Sequence, residues 1–140
     1  MKIEIKKLSE NAAIPSKDEG NAGYDLYAIE DIIIPPQSRS LVKTGITMSI
    51  PNGYYGHISD RSGMAYKKGA HCLGKIIDSS YRGEIGIIIL NTDKEKDLVI
   101  LALERPAQII FKKYEDVDFE EVVYLDETLR GVKGYGASGA

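Results

Sequence analysis

The sequence predicts an all-β domain of the jelly-roll type, a sandwich or barrel of short strands. Two observations lead to this prediction. Short apolar runs, many of them rich in β-branched residues, recur along the 140-residue chain and are separated by Pro and Gly turn residues. Helix signals are scarce, and the clearest is SGMAYKKG, in which Ser62 is predicted to cap a short turn that Gly69 ends.

The predicted strands follow the chain in order. Residues 2–6 alternate polar and apolar, DIIIPP is an apolar run stopped by prolines, and residues 46–50 alternate before the turn PNG. Four later runs, EIGIIIL, DLVILAL, AQIIF and EEVVYL, are continuously apolar, which indicates strands buried on both faces. In so small a chain, part of that burial is expected to come from sister subunits.

Composition limits the classes of protein to consider. The chain is 43% hydrophobic and 28% charged, as expected for one globular domain with a real core. Its net charge of −3 gives no general attraction to nucleic acid or to anionic membranes. The single cysteine, Cys72, excludes an internal disulfide, and His57 and His71 form no metal-ligand spacing with it. Without a signal region or a long apolar run, we expect a cytoplasmic protein.

A candidate anion site lies in GHISDRSGMAY, residues 56–66. Arg61, Ser62 and the Gly63 amide fall at a predicted strand-to-helix turn. There a guanidinium, a hydroxyl and free helix N–H groups converge on one point, which suits an oxyanion such as phosphate. The alternative interpretation is an ordinary helix cap with a surface arginine.

Three further polar residues are weaker signals when each is taken alone. Asp25, in AGYDLYA, has the character of a solvated strand acid. Asp78 and Tyr81 are three residues apart in a predicted hairpin bounded by Gly83, which brings an acid and an aromatic ring to one edge. Gln108 heads an apolar strand, where a buried amide needs partners and can orient a ligand.

The tail RGVKGYGASGA, residues 130–140, contains the spacing G-x-G-x-x-G. A dinucleotide-binding fingerprint needs a strand before it and a helix after it, and no helix follows these glycines in the sequence. A flexible tail of small residues is the alternative. Arg130, Lys133 and Tyr135 are poor choices for an inert spacer, so a binding role stays open.

Taken together, these segments resemble the trimeric dUTPase family, with five motifs in family order between residues 22 and 139. The resemblance implies that Asp25 holds hydrated Mg²⁺ on a triphosphate through water, and that Asp78 activates the attacking water. It further implies that Tyr81 packs under the deoxyribose while the predicted hairpin backbone reads uracil. The resemblance assigns the remaining contacts to the substrate as follows: phosphate oxygens to Arg61, Ser62, Gly63 and the catalytic Gln108, the γ-phosphate to Arg130, the uracil face to Tyr135, and further tail contacts to Gly136 and Ser138.

The implied activity is hydrolysis of dUTP to dUMP and pyrophosphate by a homotrimer with shared sites, which keeps uracil out of DNA. Residues 1–129 form the predicted jelly-roll domain, and residues 130–140 form an arm that closes over the site as a lid. Two alternatives stay open: a dCTP deaminase, whose catalytic glutamate would fall at Ile88, and a catalytically dead nucleotide-binding regulator.

The sequence departs from the family pattern at several positions. Lys75 replaces a glycine, which predicts a shifted uracil hairpin, and Leu103 with Glu104 replaces a Gly-Asp pair. Asp60 replaces proline or glycine beside Arg61, and its carboxylate is expected to oppose the charge of the triphosphate.

Overall fold

The computed structural model describes residues 1–135, and within them the chain forms strands and one short helix. The strands are β1 Glu4–Lys7, β2 Tyr24–Leu26, β3 Ile32–Ile34, β4 Arg39–Lys43, β5 Ile46–Ser49, β6 Tyr54–Asp60, β7 Ala70–Leu73, β8 Ile76–Ile77, β9 Gly86–Asn91, β10 Leu98–Ile100 and β11 Ala107–Lys113. The helix, α1, spans Ser62–Lys68.

The strands form small antiparallel sheets. A four-stranded sheet has the order β2-β11-β6-β8 and a three-stranded sheet the order β4-β9-β7, and the pairs β1-β5 and β3-β10 complete the fold. Neighbours in a sheet are mostly distant in sequence, as in β2 with β11, so the chain crosses repeatedly between sheets. The predicted all-β, jelly-roll-like fold is confirmed.

The core lies between the sheets and is dominated by isoleucine. Ile34, Ile85, Ile87, Ile89 and Ile100 are completely buried. Two polar groups enter it with their hydrogen bonds satisfied. Asn91 donates to the carbonyls of Ile34 and Lys96 at 3.0 and 2.8 Å, and Thr44 donates to the carbonyl of Ile85. Because these buried polar groups are paired, they hold neighbouring loops without leaving a lone donor in an apolar environment.

The prediction that the late apolar runs are buried on both faces is wrong for a single chain. In β9, Ile87 and Ile89 point into the core, whereas Ile88 between them is 37% exposed. Val99 in β10 is likewise exposed between two buried neighbours. Strand alternation sends every second side chain outward, and within residues 1–135 that outer face is only partly covered.

The predicted strand EEVVYL is also wrong for the isolated chain. Residues 115–135 are all exposed and contain no strand, and the last strand of the chain, within the described residues, ends at Lys113. Val123 and Tyr124 keep more than four-fifths of their surface accessible. A strand needs a partner for its backbone hydrogen bonds, and this segment finds none among the residues that the structure describes.

Helix α1 forms as predicted, with one difference at its start. Arg61, not Ser62, is the N-cap, in extended conformation and without a side-chain capping bond, and Ser62 is the first helical residue. Gly69 ends the helix in the left-handed region, at φ 63°. None of the helices described in residues 1–135 is long and apolar enough to cross a membrane.

Candidate active site

Three strands of the four-stranded sheet bring Asp25, Gln108 and Arg61 to one end. In the register of this sheet, Gln108 in β11 pairs with Asp25 in β2 on one side and with Ser59 in β6 on the other. Arg61 follows directly after β6, at the start of α1. Residues that are far apart in sequence therefore form one cluster, which we call the phosphate end: Asp25, Asp60, Arg61, Ser62, Arg105 and Gln108.

Asp25 lies between two guanidinium groups, rather than in open solvent. Its Oδ1 is 2.9 Å from Nε of Arg61, and its Oδ2 is 3.2 Å from Nη1 of Arg105. Arg61 also donates from Nη1 to the carbonyl of Arg105 at 2.8 Å. The three side chains together carry a net positive charge, which favours a polyanionic ligand over a cation.

Sequence reasoning missed Arg105. It precedes Gln108 by three residues, in the turn that leads into β11, and its guanidinium reaches Asp25 across 80 residues of chain. A basic residue just before a strand that carries a candidate substrate-binding residue is a signal that the sequence does contain. The strand pairing that brings it beside Asp25 is not visible in the sequence.

Gln108 has the partner that a part-buried amide requires. Its Nε2 donates to the backbone carbonyl of Asp60 at 2.9 Å, which links β11 to the residue just before Arg61. Gly23 makes room for this side chain, because a Cβ at residue 23 would overlap the Gln108 amide. The glycine before Tyr24 is thus a packing requirement of the phosphate end.

The Asp60 carboxylate is turned toward β7, and both of its oxygens have partners there. Its Oδ2 lies 2.8 Å from Nδ1 of His71, and its Oδ1 accepts a hydrogen bond of 2.6 Å from the Cys72 amide. Burial alone would raise the pKa of Asp60, but these hydrogen bonds outweigh it and hold the pKa below the usual value. Burial and the Asp60 carboxylate raise the pKa of the Cys72 thiol to about 12, so the thiol stays protonated.

Asp78 and Tyr81 lie in a tight turn that follows β8. The Tyr81 amide donates to the Asp78 carbonyl at 3.1 Å, and the Tyr81 hydroxyl donates to the Glu84 carbonyl at 3.0 Å. The turn is not the predicted hairpin, because β8 pairs with β6 whereas β9, which follows, belongs to the other sheet. Asp78, Tyr81 and the apolar side chains of Leu41, Ile76 and Ile88 line a cavity of about 250 Å³.

The structure does not bring Asp78 to the phosphate end of the same chain. Ile77 pairs with Gly56 in β6, so Asp78 lies level with Tyr55, six residues before Arg61. At about 3.3 Å per strand residue, the two ends of β6 are about 20 Å apart. A carboxylate that activates water must be within hydrogen-bond reach of it, so one chain cannot use both groups on one small substrate.

The remaining predicted residues are only partly described. Arg130 donates to the carbonyls of Lys133 and Gly134, both at 3.2 Å, and Tyr135 is fully exposed. Gly136 and Ser138 lie outside the described residues.

Lys75 follows Gly74, which has a φ of 56°. The Lys75 carbonyl accepts a hydrogen bond of 2.8 Å from the Ile58 amide, so the turn between β7 and β8 is anchored to β6.

The donor set at the phosphate end suits a hydrated Mg²⁺ better than a metal held by protein alone. Within residues 1–135, no three acidic, histidine or cysteine side chains are grouped to hold a metal ion. Asp25 offers a carboxylate, the oxygen ligand that Mg²⁺ prefers, beside two cations that suit phosphate. The residues therefore fit a metal that arrives on a polyphosphate and keeps most of its water.

Comparison with known proteins places this geometry in context. The family model described as dUTPase matches residues 9–139. The deoxyuridine 5′-triphosphate nucleotidohydrolase of Paramecium bursaria Chlorella virus 1 is 44% identical over 136 residues, covering 96% of each chain. That of Corynebacterium glutamicum is 41% identical over 140 residues, covering 98% of this chain and 94% of the relative.

Solved structures agree over the same length. A mutant dUTPase of Staphylococcus bacteriophage 80alpha, in complex with dUpNHpp, superposes with a TM-score of 0.90 at 27% identity and covers 99% of each chain. A mutant dUTPase from phage phi11 of S. aureus, whose structure reports coordination of a structural Mg(II) ion, superposes with a TM-score of 0.83 at 25% identity and covers 89% of this chain and 98% of that one.

Proposed function

Since this chain belongs to the dUTPase family, we propose that it hydrolyses dUTP to dUMP and pyrophosphate, with Asp78 as general base and the phosphate end as the triphosphate site. The observation that carries the proposal is the cluster of Asp25, Arg61 and Arg105 beside Gln108, where two guanidinium groups meet one carboxylate. Such a cluster has the charge and the hydrogen-bond donors that a triphosphate needs.

The reaction is a displacement at the α-phosphorus. Asp78 takes a proton from a water molecule, the water oxygen bonds to the α-phosphorus, and the bond from that phosphorus to the oxygen bridging the β-phosphorus breaks. Arg61, Ser62 and Gln108 donate hydrogen bonds to phosphate oxygens as negative charge shifts toward the leaving pyrophosphate. Asp25 would hold a triphosphate-bound Mg²⁺ through water, and the metal would supply neutralisation of the phosphate charge.

Tyr81 gives the site its preference for deoxyribose. Its ring is fixed at one edge of the Asp78 cavity by the hydrogen bond from its hydroxyl to Glu84. A sugar packed against this ring has no space and no partner for a 2′-hydroxyl. Steric exclusion combined with an unpaired hydroxyl discriminates more strongly than a missing methylene group, which gives only about 10–200-fold.

The working enzyme is a homotrimer in which neighbouring chains share each site. The separation of about 20 Å between Asp78 and Arg61 along β6 supports this, because a second chain can bring its own phosphate end to Asp78. The outward apolar side chains, such as Ile88 and Val99, offer surface for such contacts. Residues 130–140 act as the arm that closes over the bound nucleotide, with Arg130 on the γ-phosphate and Tyr135 over the base.

The test is incubation of the purified protein with dUTP, dCTP or UTP in the presence of Mg²⁺, followed by separation of the products. We expect dUMP and pyrophosphate from dUTP, and far slower reaction of the other two. Release of ammonia from dCTP would indicate a deaminase instead, although Ile88 stands where that chemistry needs an acid. Binding without any product would indicate a regulator. A parallel purification from cells that do not make the protein measures contaminating phosphatase.

A further inference from the structure

Asp60 connects the two sheets beside the phosphate end. It is the last residue of β6, in the four-stranded sheet, and its carboxylate accepts hydrogen bonds from β7, in the three-stranded sheet. The partners are the Cys72 amide, at 2.6 Å, and His71 Nδ1, at 2.8 Å. Three quarters of the Asp60 side chain is shielded from solvent, so these bonds compete little with water.

The backbone of Asp60 is held at the same time by the other side of the site. Its carbonyl accepts the Gln108 amide at 2.9 Å, and its position in β6 pairs with Ala107 in β11. The next residue is Arg61, whose guanidinium reaches Asp25. One residue therefore joins three phosphate-end side chains to the body of the fold.

The backbone at the start of the turn after Asp60 has few other anchors, although the Arg61 side chain also contacts Asp25 and the Arg105 carbonyl. Helix α1 is seven residues long, and its N-cap makes no side-chain hydrogen bond. It contains no fully buried residue, and Ser62 and Gly63 are exposed. A helix this short is marginal on its own, and its other anchors lie further along, where Met64 packs against the core and Gly69 caps the C-terminal end. At the N-terminal end, Arg61 and Ser62 follow directly on the anchored Asp60.

We propose that Asp60 is a positioning residue for catalysis: through His71 and the Cys72 amide it fixes the Arg61–Ser62 turn so that the guanidinium and hydroxyl face the triphosphate. The inference rests on the proposed function. It also explains how a carboxylate is tolerated next to a polyanion, since both of its oxygens are turned toward β7 and engaged there. His71 is the side-chain partner through which Asp60 is held to β7, and about half of the His71 side chain is exposed.

The test compares Asp60→Ala, Asp60→Asn and His71→Ala with a matched control, Asp93→Ala. Asp93 also accepts two backbone hydrogen bonds, from Glu95 and Lys96, but lies in a turn apart from the site. For each protein, calorimetry gives the Kd for a non-hydrolysable dUTP analogue and for dUMP, and steady-state assays give kcat and KM. The ratio of the two Kd values shows whether a substitution weakens contacts to the additional phosphates of the analogue or contacts to the nucleoside.

We expect Asp60→Ala to weaken binding of the triphosphate analogue by about 10–100-fold and to lower kcat, because small displacements of positioning groups have effects of this size. Binding of dUMP should change by less than about 3-fold, since the nucleoside lies against Asp78 and Tyr81. Asp60→Asn keeps an acceptor for the Cys72 amide and should restore part of the loss. His71→Ala should have a smaller effect in the same direction, and Asp93→Ala should leave both Kd values unchanged.

An unchanged Kd ratio in Asp60→Ala, whether both Kd values stay the same or both rise equally, would overturn the inference. If Asp60→Ala fails to fold, the same outcome is read from Asp60→Asn and His71→Ala, which keep at least one of the two hydrogen bonds. A wild-type protein that does not hydrolyse dUTP would instead refute the proposed function, and the wild-type assay shows this before any variant is compared.

Discussion

The proposed role of Asp78 as general base can be tested directly by substitution. It lies on the surface of a turn, beside an apolar cavity, and its backbone carbonyl, rather than its carboxylate, accepts the turn hydrogen bond. The carboxylate is therefore not needed to hold the fold. This separation of structural and chemical roles makes a clean substitution possible.

Asp78→Asn should keep the fold and the affinity for a dUTP analogue but lower turnover by roughly 10²–10⁴, the usual contribution of a general base. The measurement is single-turnover hydrolysis together with calorimetric binding. Asp97→Asn, at the edge of β10 and away from both halves of the site, serves as a control for loss of one charge. Undiminished turnover would remove Asp78 from the mechanism.

Asp60 should make stability depend on acid pH. Its pKa in the folded protein lies below the usual carboxyl value, so its ionised form contributes stability above the unfolded-state pKa, and this contribution is lost as pH falls through the lower, folded-state pKa. Denaturant unfolding at pH 7 and pH 3 should show the wild type more stable than Asp60→Asn at pH 7, with the difference shrinking at pH 3. A difference independent of pH would contradict this assignment.

At the scale of single residues, the sequence identified the types of group but not their directions. Arg61, Ser62 and Gln108 could be selected because each stands at a strand end with a clear chemical role. The direction of the Asp60 carboxylate and the presence of Arg105 depend on β6, β7 and β11 being neighbours, which is a property of the folded sheet. Local patterns carry no information about such pairings.

At the scale of elements, periodicity located most strands, and two predictions failed for related reasons. The run EEVVYL has strand composition but no partner within residues 1–135. The predicted hairpin at Asp78 is a turn between two sheets. In both cases the element was assigned from local sequence, whereas strand pairing depends on which elements lie beside it.

The turn that carries Tyr81 offers a test at this scale. A Cβ at residue 83 would overlap the Tyr81 ring, so Gly83→Ala should displace that ring. We expect the ratio of kcat/KM for dUTP to kcat/KM for UTP to fall. The kcat for dUTP, which depends on Asp78, should change less. Ser80→Ala, in the same turn, is the matched control and should keep the ratio. Full discrimination in Gly83→Ala would show that Tyr81 does not exclude the 2′-hydroxyl.

At the scale of the whole molecule, the described chain keeps the two halves of the proposed site apart. The acid and the phosphate end lie at opposite ends of β6, and apolar side chains remain on outer faces. The homotrimer proposed above would account for both features at once, since each copy would supply what its neighbour lacks.

Sharing of sites predicts complementation between two inactive proteins. Asp78→Asn and Arg61→Ala should each be nearly inactive alone. After the two are unfolded together and refolded at equal amounts, about a quarter of the sites should combine an intact Asp78 from one chain with an intact Arg61 from another, if chains mix at random in the closed ring. Steady-state activity of the mixture against each parent is the measurement. No recovery in mixed trimers would mean that each chain builds its own site.

Deleting residues 130–140 should leave a stable protein with poor activity. Residues 115–135 are exposed throughout and contribute little to the core, so the melting temperature without ligand should barely change. Loss of Arg130 removes charge-assisted hydrogen bonds worth about 1.5–3 kcal/mol each, and kcat and KM should both worsen. An Arg130→Ala, Tyr135→Ala chain of full length tests whether the side chains carry the effect. Equal activity of the truncated protein would show that the tail is an inert spacer.

If neighbouring chains share each site as proposed, the length of β6 also determines how defective copies behave in a cell that makes both intact and defective chains. A chain carrying Asp78→Asn and Arg61→Ala together can contribute neither half of a site, yet its β-sheet surfaces are intact and it still joins the oligomer. The fraction of working sites then falls as the square of the fraction of sound chains, so an equal mixture retains about a quarter of its activity rather than half. Such an allele would act as a dominant inhibitor of its normal counterpart, whereas an allele whose product cannot fold would merely halve the dose.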